Sequence, residues 1–189
     1  LIHSVGALSY YDGANLNGII GRVKPRDLGF DIIHLNLHKT FSTPHGGGGP
    51  GAGPIGVIKK LEDYLPIPLI DFDGKKYYWN YNRPKSIGKI KGFYGNIAVL
   101  LKCAVYIYIM GAKWLREVSE VSVLNTNYLV KLLEDVKELE LAYKSSNNPP
   151  KNECVFSAVK IFKDTGVRAL DISKRLLDHG VHAPTNYFP

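Results

Sequence analysis

The rhythm of apolar and polar positions along this chain changes near Gly95. Upstream, apolar residues come in short runs broken by turn signals; downstream, they recur every three to four positions. Residues 5–11 are rich in strand formers and stop at Asp12-Gly13, which predicts a strand running into a turn. The Pro25-Arg26-Asp27 stretch reads as a loop or short turn. Residues 31–37 set Ile33, Leu35 and Leu37 against Asp31, His34 and Asn36, predicting a second strand. Ile55-Gly56-Val57-Ile58 predicts a third. Residues 73–92 are polar, basic and aromatic, and predict a long ordered loop or lid. A helix is expected over 96–110, closed by Gly111. A second is expected over 112–139, where Leu115, Val118, Val121, Leu124, Tyr128, Leu129, Leu132 and Val136 keep helical spacing. The Ser145-Ser146-Asn147-Asn148-Pro149-Pro150 run signals a loop, and residues 154–162 predict a strand. Asp164 or Thr165 then caps a helix over 166–179 that Gly180 stops. Strands on short connections, followed by helices, predict an α/β sheet layer.

Composition narrows the class. With 45% hydrophobic residues the chain can build a core, and nothing in its usage points to disorder. A formal net charge of +7 and a sequence pI near 9.3 point to an anionic partner: a phosphate, a nucleic acid or an acidic protein. Cys103 and Cys154 sit in apolar contexts without metal-ligand spacing, and read as reduced thiols of a cytoplasmic protein. No signal-peptide pattern opens the chain, and both ends read as cuts through a longer protein. The apolar run 97–110 is shorter than the roughly 20 residues of a membrane span and carries Lys102, so a buried helix is expected rather than an anchor.

The chemistry concentrates in Leu35-Asn36-Leu37-His38-Lys39-Thr40-Phe41-Ser42-Thr43-Pro44-His45, followed by a loop of glycines and Pro50 reaching Gly51. A lysine at the end of an apolar segment, just before a backbone-rich loop, can be held at a cleft and presented to a carbonyl. The glycines satisfy G-x-G-x-x-G twice, at 46–51 and 51–56, but neither copy opens a helix, so the dinucleotide-binding reading fails its required context. No P-loop pattern is present. His34, His38 and His45 raise the question of a metal, yet no cysteine or carboxylate completes a set, and on one strand face His34 and His38 lie too far apart for one ion. No metal is expected. The run 75–85 mixes lysines, tyrosines, Trp79 and Arg83 in the manner of single-strand nucleic-acid binders.

The lysine run closely resembles the cofactor-lysine signature of the glycine decarboxylase P-protein family, and Asp12-Gly13-Ala14-Asn15 resembles that family's aspartate segment. Residues 83–96 and 166–184 are also similar, with the 83–96 stretch favouring the split type's subunit 2, and the resemblance covers essentially the whole chain. It implies an aspartate-aminotransferase-like α/β fold, PLP-dependent fold type I. Residues 1–112 would be the C-terminal part of the PLP-binding large domain; 113–189 would be a connecting long helix and a truncated small domain. It implies pyridoxal phosphate as cofactor, joined to Lys39 as an imine, with Asp12 against the pyridine nitrogen and Ala14 and His38 in the cofactor pocket. The implied reaction is decarboxylation of glycine with transfer of the aminomethyl group to the lipoyl arm of the H-protein, subunit 1 being the companion. Neither nucleic acid nor membrane is then an expected partner. The upstream residues that stack on the ring and form much of the phosphate cup are missing, so the isolated chain is expected to be inactive. The rivals are another fold type I enzyme on a small amino acid (an aldolase, lyase or transaminase) and a basic nucleic-acid-binding module.

Overall fold

The computed structural model describes residues 1–48, 51–144 and 147–184. It divides into two compact units, Leu1–Val118 and Ser119–Pro189. The glycine loop is therefore described except for Gly49 and Pro50, and the 145–150 loop signal except for Ser145 and Ser146. In the first unit, β1 (Tyr10–Gly13) pairs in parallel with β2 (Ile32–Leu35), and β3 (Ile55–Val57) pairs antiparallel with β2. Parallel neighbours need a crossover connection. Here residues 14–31 supply it, with 3-10 turns at Leu16–Gly18 and Pro25–Leu28. The first strand lies later than expected, because His3–Val5 forms a 3-10 turn ended by Gly6 at φ 75.

The second expected strand ends early. Beyond Leu35 the chain turns into a one-turn helix, α1 (Leu37–Thr40), through Lys39 and Thr40 N–H bonds to the Asn36 carbonyl. Leu37 and Phe41 are thereby turned inward to meet Leu16, Ile19, Val99 and Cys103, the buried apolar core of this unit. The expected 73–92 loop is in part a hairpin: β4 (Leu69–Phe72) pairs antiparallel with β5 (Tyr77–Asn80). Its turn is fixed by Asp73 Oδ1, which accepts the Lys75 and Lys76 N–H groups. The stretch after the hairpin is tied down as well, by Arg83 Nη1 to the Glu62 carbonyl at 3.1 Å and Ser86 Oγ to the Leu65 carbonyl at 2.6 Å.

Helix α2 spans Ile97–Leu133 but breaks at Gly111, whose φ of 62 is outside the helical region. Its 97–110 arm presses Val99 and Cys103 into the core while leaving Leu101 63% and Tyr108 89% exposed. The expectation of a buried helix is thus corrected: only one face is covered. By length and composition alone α2 could cross a membrane. The break at Gly111, and Lys113, Arg116, Glu117 and Glu120 just beyond it, argue against a continuous span.

In the second unit, the part of α2 from Ser119 ends at Leu133, short of the expected residue 139. Tight turns follow, with N–H bonds from Val136 to the Leu133 carbonyl and from Leu139 to the Val136 carbonyl. A two-residue ladder joins β6 (Glu140–Leu141) to β7 (Phe156–Ser157). The expected 154–162 strand is only those two residues, since α3 (Val159–Thr165) begins immediately. Gly166, expected inside the next helix, instead ends α3 at φ 79 and donates to the Phe162 carbonyl. Helix α4 (Ala169–Asp178) starts where Asp171 Oδ2 accepts the Arg168 N–H at 2.9 Å, and Gly180 closes it at φ 76.

Candidate active site at the carboxyl ends of the parallel strands

The parallel register sets Asp12 directly beside His34 and Gly13 beside Leu35, so β1 and β2 finish together. In α/β sheets the crevice outside such strand ends is where ligands sit. Asp12 stands at this edge with its side chain 69% exposed. One carboxylate oxygen is occupied: Oδ1 accepts the Ala14 N–H at 2.9 Å and lies 3.2 Å from His34 Nε2. The other, Oδ2, has no partner among the described residues. Beside it the backbone is close-packed, since a Cβ on Gly13 would fall 1.9 Å from the His34 carbonyl oxygen. Glycine is the one residue that fits there.

Lys39 sits on α1, not at a strand end as the alternation predicts. The helix is anchored by buried Leu37 and Thr40, which leaves Lys39 exposed and without an ion pair among the described residues. The chain then passes through Ser42 at φ 55, a left-handed conformation that costs a non-glycine residue about 1–2 kcal/mol. That turn brings Thr43 back under α1, where its N–H donates to the Leu37 carbonyl at 3.3 Å. The strained residue follows directly on α1, within the 35–45 run.

His38 is half-buried, with its ring edge-on to His45 at 4.3 Å between centroids. Burial, then the neighbouring His45 and Lys39, pull its pKa below the usual histidine value, so it is neutral at pH 7. His45 is in turn held by the Gly48 N–H on its Nδ1 at 2.8 Å. His34 lies on β2 and His38 on α1, so the shared strand face expected for them does not exist. Among the described residues no group of three metal-ligating side chains converges.

Several polar atoms here are buried without a partner among the described residues: His38 Nδ1, Thr40 Oγ1, Thr43 Oγ1 and Asn17 Oδ1. Asn17 belongs to the 3-10 turn after β1, which packs against α1. Buried polar atoms are nearly always hydrogen-bonded, so four orphans in two adjoining segments mark a place built to receive a polar group. In chemical type the residues present suit the cofactor that the resemblance implies: an exposed amine on α1, a carboxylate at the end of β1, and an imidazole and hydroxyls with unpaired buried atoms among the described residues. A cavity of about 260 Å³ lies elsewhere, at the amino end of β2 beside Asp31, Phe30 and Lys59. It holds none of these groups, and shape alone does not outweigh their chemistry.

Sequence reasoning missed Tyr10 and His34 as parts of this edge. Only the strand register could have placed His34 next to Asp12.

A family profile described as the C-terminal domain of glycine dehydrogenase matches residues 118–189. The full chain is 61% identical to the probable glycine dehydrogenase (decarboxylating) subunit 2 of Pyrococcus horikoshii, covering 100% of this chain and 38% of that protein. It is 56% identical to the proteins of the same description from Thermococcus kodakarensis and Fervidobacterium nodosum, covering 38% and 39% of them. This chain thus spans about two fifths of the length of these curated relatives. Among solved structures, an inhibitor-bound glycine decarboxylase (P-protein) of the glycine cleavage system superposes with a TM-score of 0.73 at 24% identity. That match covers 96% of this chain and 41% of the other. The likeness establishes a shared mixed α/β fold.

Proposed function

We propose, for a chain that belongs to the glycine dehydrogenase (decarboxylating) subunit 2 family, that it carries the cofactor lysine of a PLP-dependent glycine decarboxylase. The parent protein removes carbon dioxide from glycine and passes the aminomethyl group to the lipoyl arm of the H-protein, working with subunit 1. The observation that supports this reading is Asp12 at the carboxyl end of β1, with one carboxylate oxygen held by the Ala14 N–H, while β2, its parallel neighbour, runs into the helical turn on which Lys39 stands exposed.

When bound, pyridoxal phosphate supplies an electron sink for the pair left on carbon as carbon dioxide departs. Lys39 Nζ would hold the cofactor, and its amine would be able to carry a proton in the site. Asp12 Oδ2 would accept a charge-assisted hydrogen bond from the protonated ring nitrogen and so keep that nitrogen protonated. The Ala14 N–H holds the other oxygen of that carboxylate in place. Neutral His38 lines the pocket, where its unpaired Nδ1 can meet a polar group without adding charge. The buried Thr40 and Thr43 hydroxyls are available donors beside it.

In the finer division, residues 1–112 complete a large cofactor domain of fold type I, and 113–189 form the connecting helix and the start of a small domain. The parent is cytoplasmic and binds neither nucleic acid nor membrane. On this reading the isolated chain is inactive, because it supplies one wall of the site.

The test gives the full-length subunit its subunit 1, pyridoxal phosphate and lipoylated H-protein, and follows carboxyl-labelled glycine. Release of the label as carbon dioxide is expected. Reaction with another small amino acid and none with glycine would transfer the chain to another fold type I chemistry. A second reading rests on the hairpin, where Tyr77 is 75% and Trp79 50% exposed beside Lys75 and Lys76. No reaction with any amino acid, together with steeply salt-dependent binding to single-stranded nucleic acid, would favour that basic module.

A further inference from the structure

The reading above uses Asp12 but leaves three polar groups on the same edge unassigned: His34, Tyr10 and Asn36. They form one connected set. His34 Nε2 lies 3.2 Å from Asp12 Oδ1 and 3.3 Å from Asn36 Oδ1, while His34 Nδ1 lies 2.6 Å from the Tyr10 hydroxyl. The pattern suits the tautomer with its proton on Nε2. Nε2–H then donates toward the two oxygens, and Nδ1 accepts from Tyr10 O–H. The His34 side chain is 22% exposed, and its ring lies tilted against that of Tyr10, 5.6 Å between centroids. It is held by packing as well as by hydrogen bonds.

This arrangement acts on one torsion. A surface carboxylate with 69% exposure would ordinarily sample several rotamers and present either oxygen. Here Oδ1 accepts the Ala14 N–H from the turn after β1 and has His34 Nε2, on β2, 3.2 Å away. With Oδ1 so held, Oδ2 is the oxygen left to meet a ligand.

We propose that His34 is a positioning residue for Asp12, locking one carboxylate oxygen so that the other is presented to the cofactor's ring nitrogen, with Tyr10 fixing the orientation of the His34 ring. The inference rests on the assignment of Asp12 as partner of that nitrogen. It predicts that His34 matters only toward ligands that carry a proton on the ring nitrogen. A merely structural histidine would matter equally toward any ligand of the same shape.

The experiment titrates the apo form of the full-length subunit, assembled with subunit 1, with pyridoxal phosphate and separately with its 1-deaza analogue, in which a carbon replaces the ring nitrogen. His34→Ala is expected to weaken binding of pyridoxal phosphate about tenfold and to change the affinity for the deaza analogue less than twofold. His34→Gln places an amide donor near the position of Nε2, and should restore most of the difference. Should His34→Ala fail to fold, Tyr10→Phe removes only a hydroxyl, and a selective loss of about threefold is expected. Equal weakening toward both ligands, or none toward either, would overturn the positioning role while leaving Asp12 and Lys39 in place. A wild-type protein that binds both ligands equally well would overturn the Asp12 assignment itself, and the role of His34 with it.

Discussion

Gly13→Ala is the smallest change that should disrupt the site, because it adds one methyl group where β1 and β2 converge. That carbon would lie 1.9 Å from the His34 carbonyl oxygen, 3.0 Å from its carbonyl carbon and 3.1 Å from Leu35 Cδ2. A carbon and a carbonyl oxygen in tolerable contact stay about 3.3 Å apart, so one strand end must retreat by about 1.4 Å, the difference between 3.3 and 1.9. A shift of that size takes ladder bonds at the carboxyl end of the pair out of range. Overpacking costs about 1–3 kcal/mol and each lost hydrogen bond about 1 kcal/mol, so a loss near 3 kcal/mol is expected. With a urea slope of about 2–3 kcal/mol per molar, the unfolding midpoint of the full-length subunit should fall by about 1 M. Gly92→Ala is the control, since its added carbon would meet nothing within 4 Å and its φ is ordinary. It should move the midpoint by less than about 0.2 M, within the range expected of surface substitutions. Equal midpoints for the two variants, with cofactor absorption kept in both, would refute the close-approach reasoning.

Other outcomes follow from the same geometry. Leu37 is 2% exposed beneath the helix that carries Lys39, so Leu37→Ala should cost about 2–5 kcal/mol in urea unfolding and loosen cofactor binding with it. Ser42→Gly should be neutral or slightly stabilising, and Ser42→Val destabilising by about 1–2 kcal/mol, because only the left-handed φ distinguishes that position. Asp31 has its carboxyl held below the usual carboxylate range, first by the Ser9 N–H and then by His3. Its stabilising effect is therefore complete above its unfolded value near pH 4 and lost as the pH falls through the lower folded value. Asp31→Asn should flatten the fall in urea midpoint between about pH 5 and pH 2.

The sequence carried the chemistry of this site more clearly than its geometry. Lys39 and Asp12 stood out through the family resemblance of the runs that hold them, and their roles remain part of the proposal. The break at Gly111 was readable from the glycine itself, and the structure puts a φ of 62 there. Alternation misled wherever a turn intervened. Residues 31–37 alternate well enough for a strand, but the Asn36 carbonyl collects the Lys39 and Thr40 N–H groups and winds the end into α1. The basic and aromatic character of 73–92 hid a hairpin whose turn depends on Asp73 capping two backbone N–H groups. Gly166 was placed inside a helix although its left-handed φ ends one. His34 drew notice only as a possible metal ligand. Its contact with Asp12 spans 22 positions and exists only because β1 and β2 pair in parallel.

The most direct measurement records the visible absorption of the full-length subunit, assembled with subunit 1, after addition of pyridoxal phosphate. Wild type should show the absorption of lysine-bound cofactor, resistant to gel filtration, and Lys39→Ala should lose it. A wild-type complex without that absorption, or a Lys39→Ala complex that keeps it unchanged, would contradict the assignment of Lys39 as the cofactor lysine.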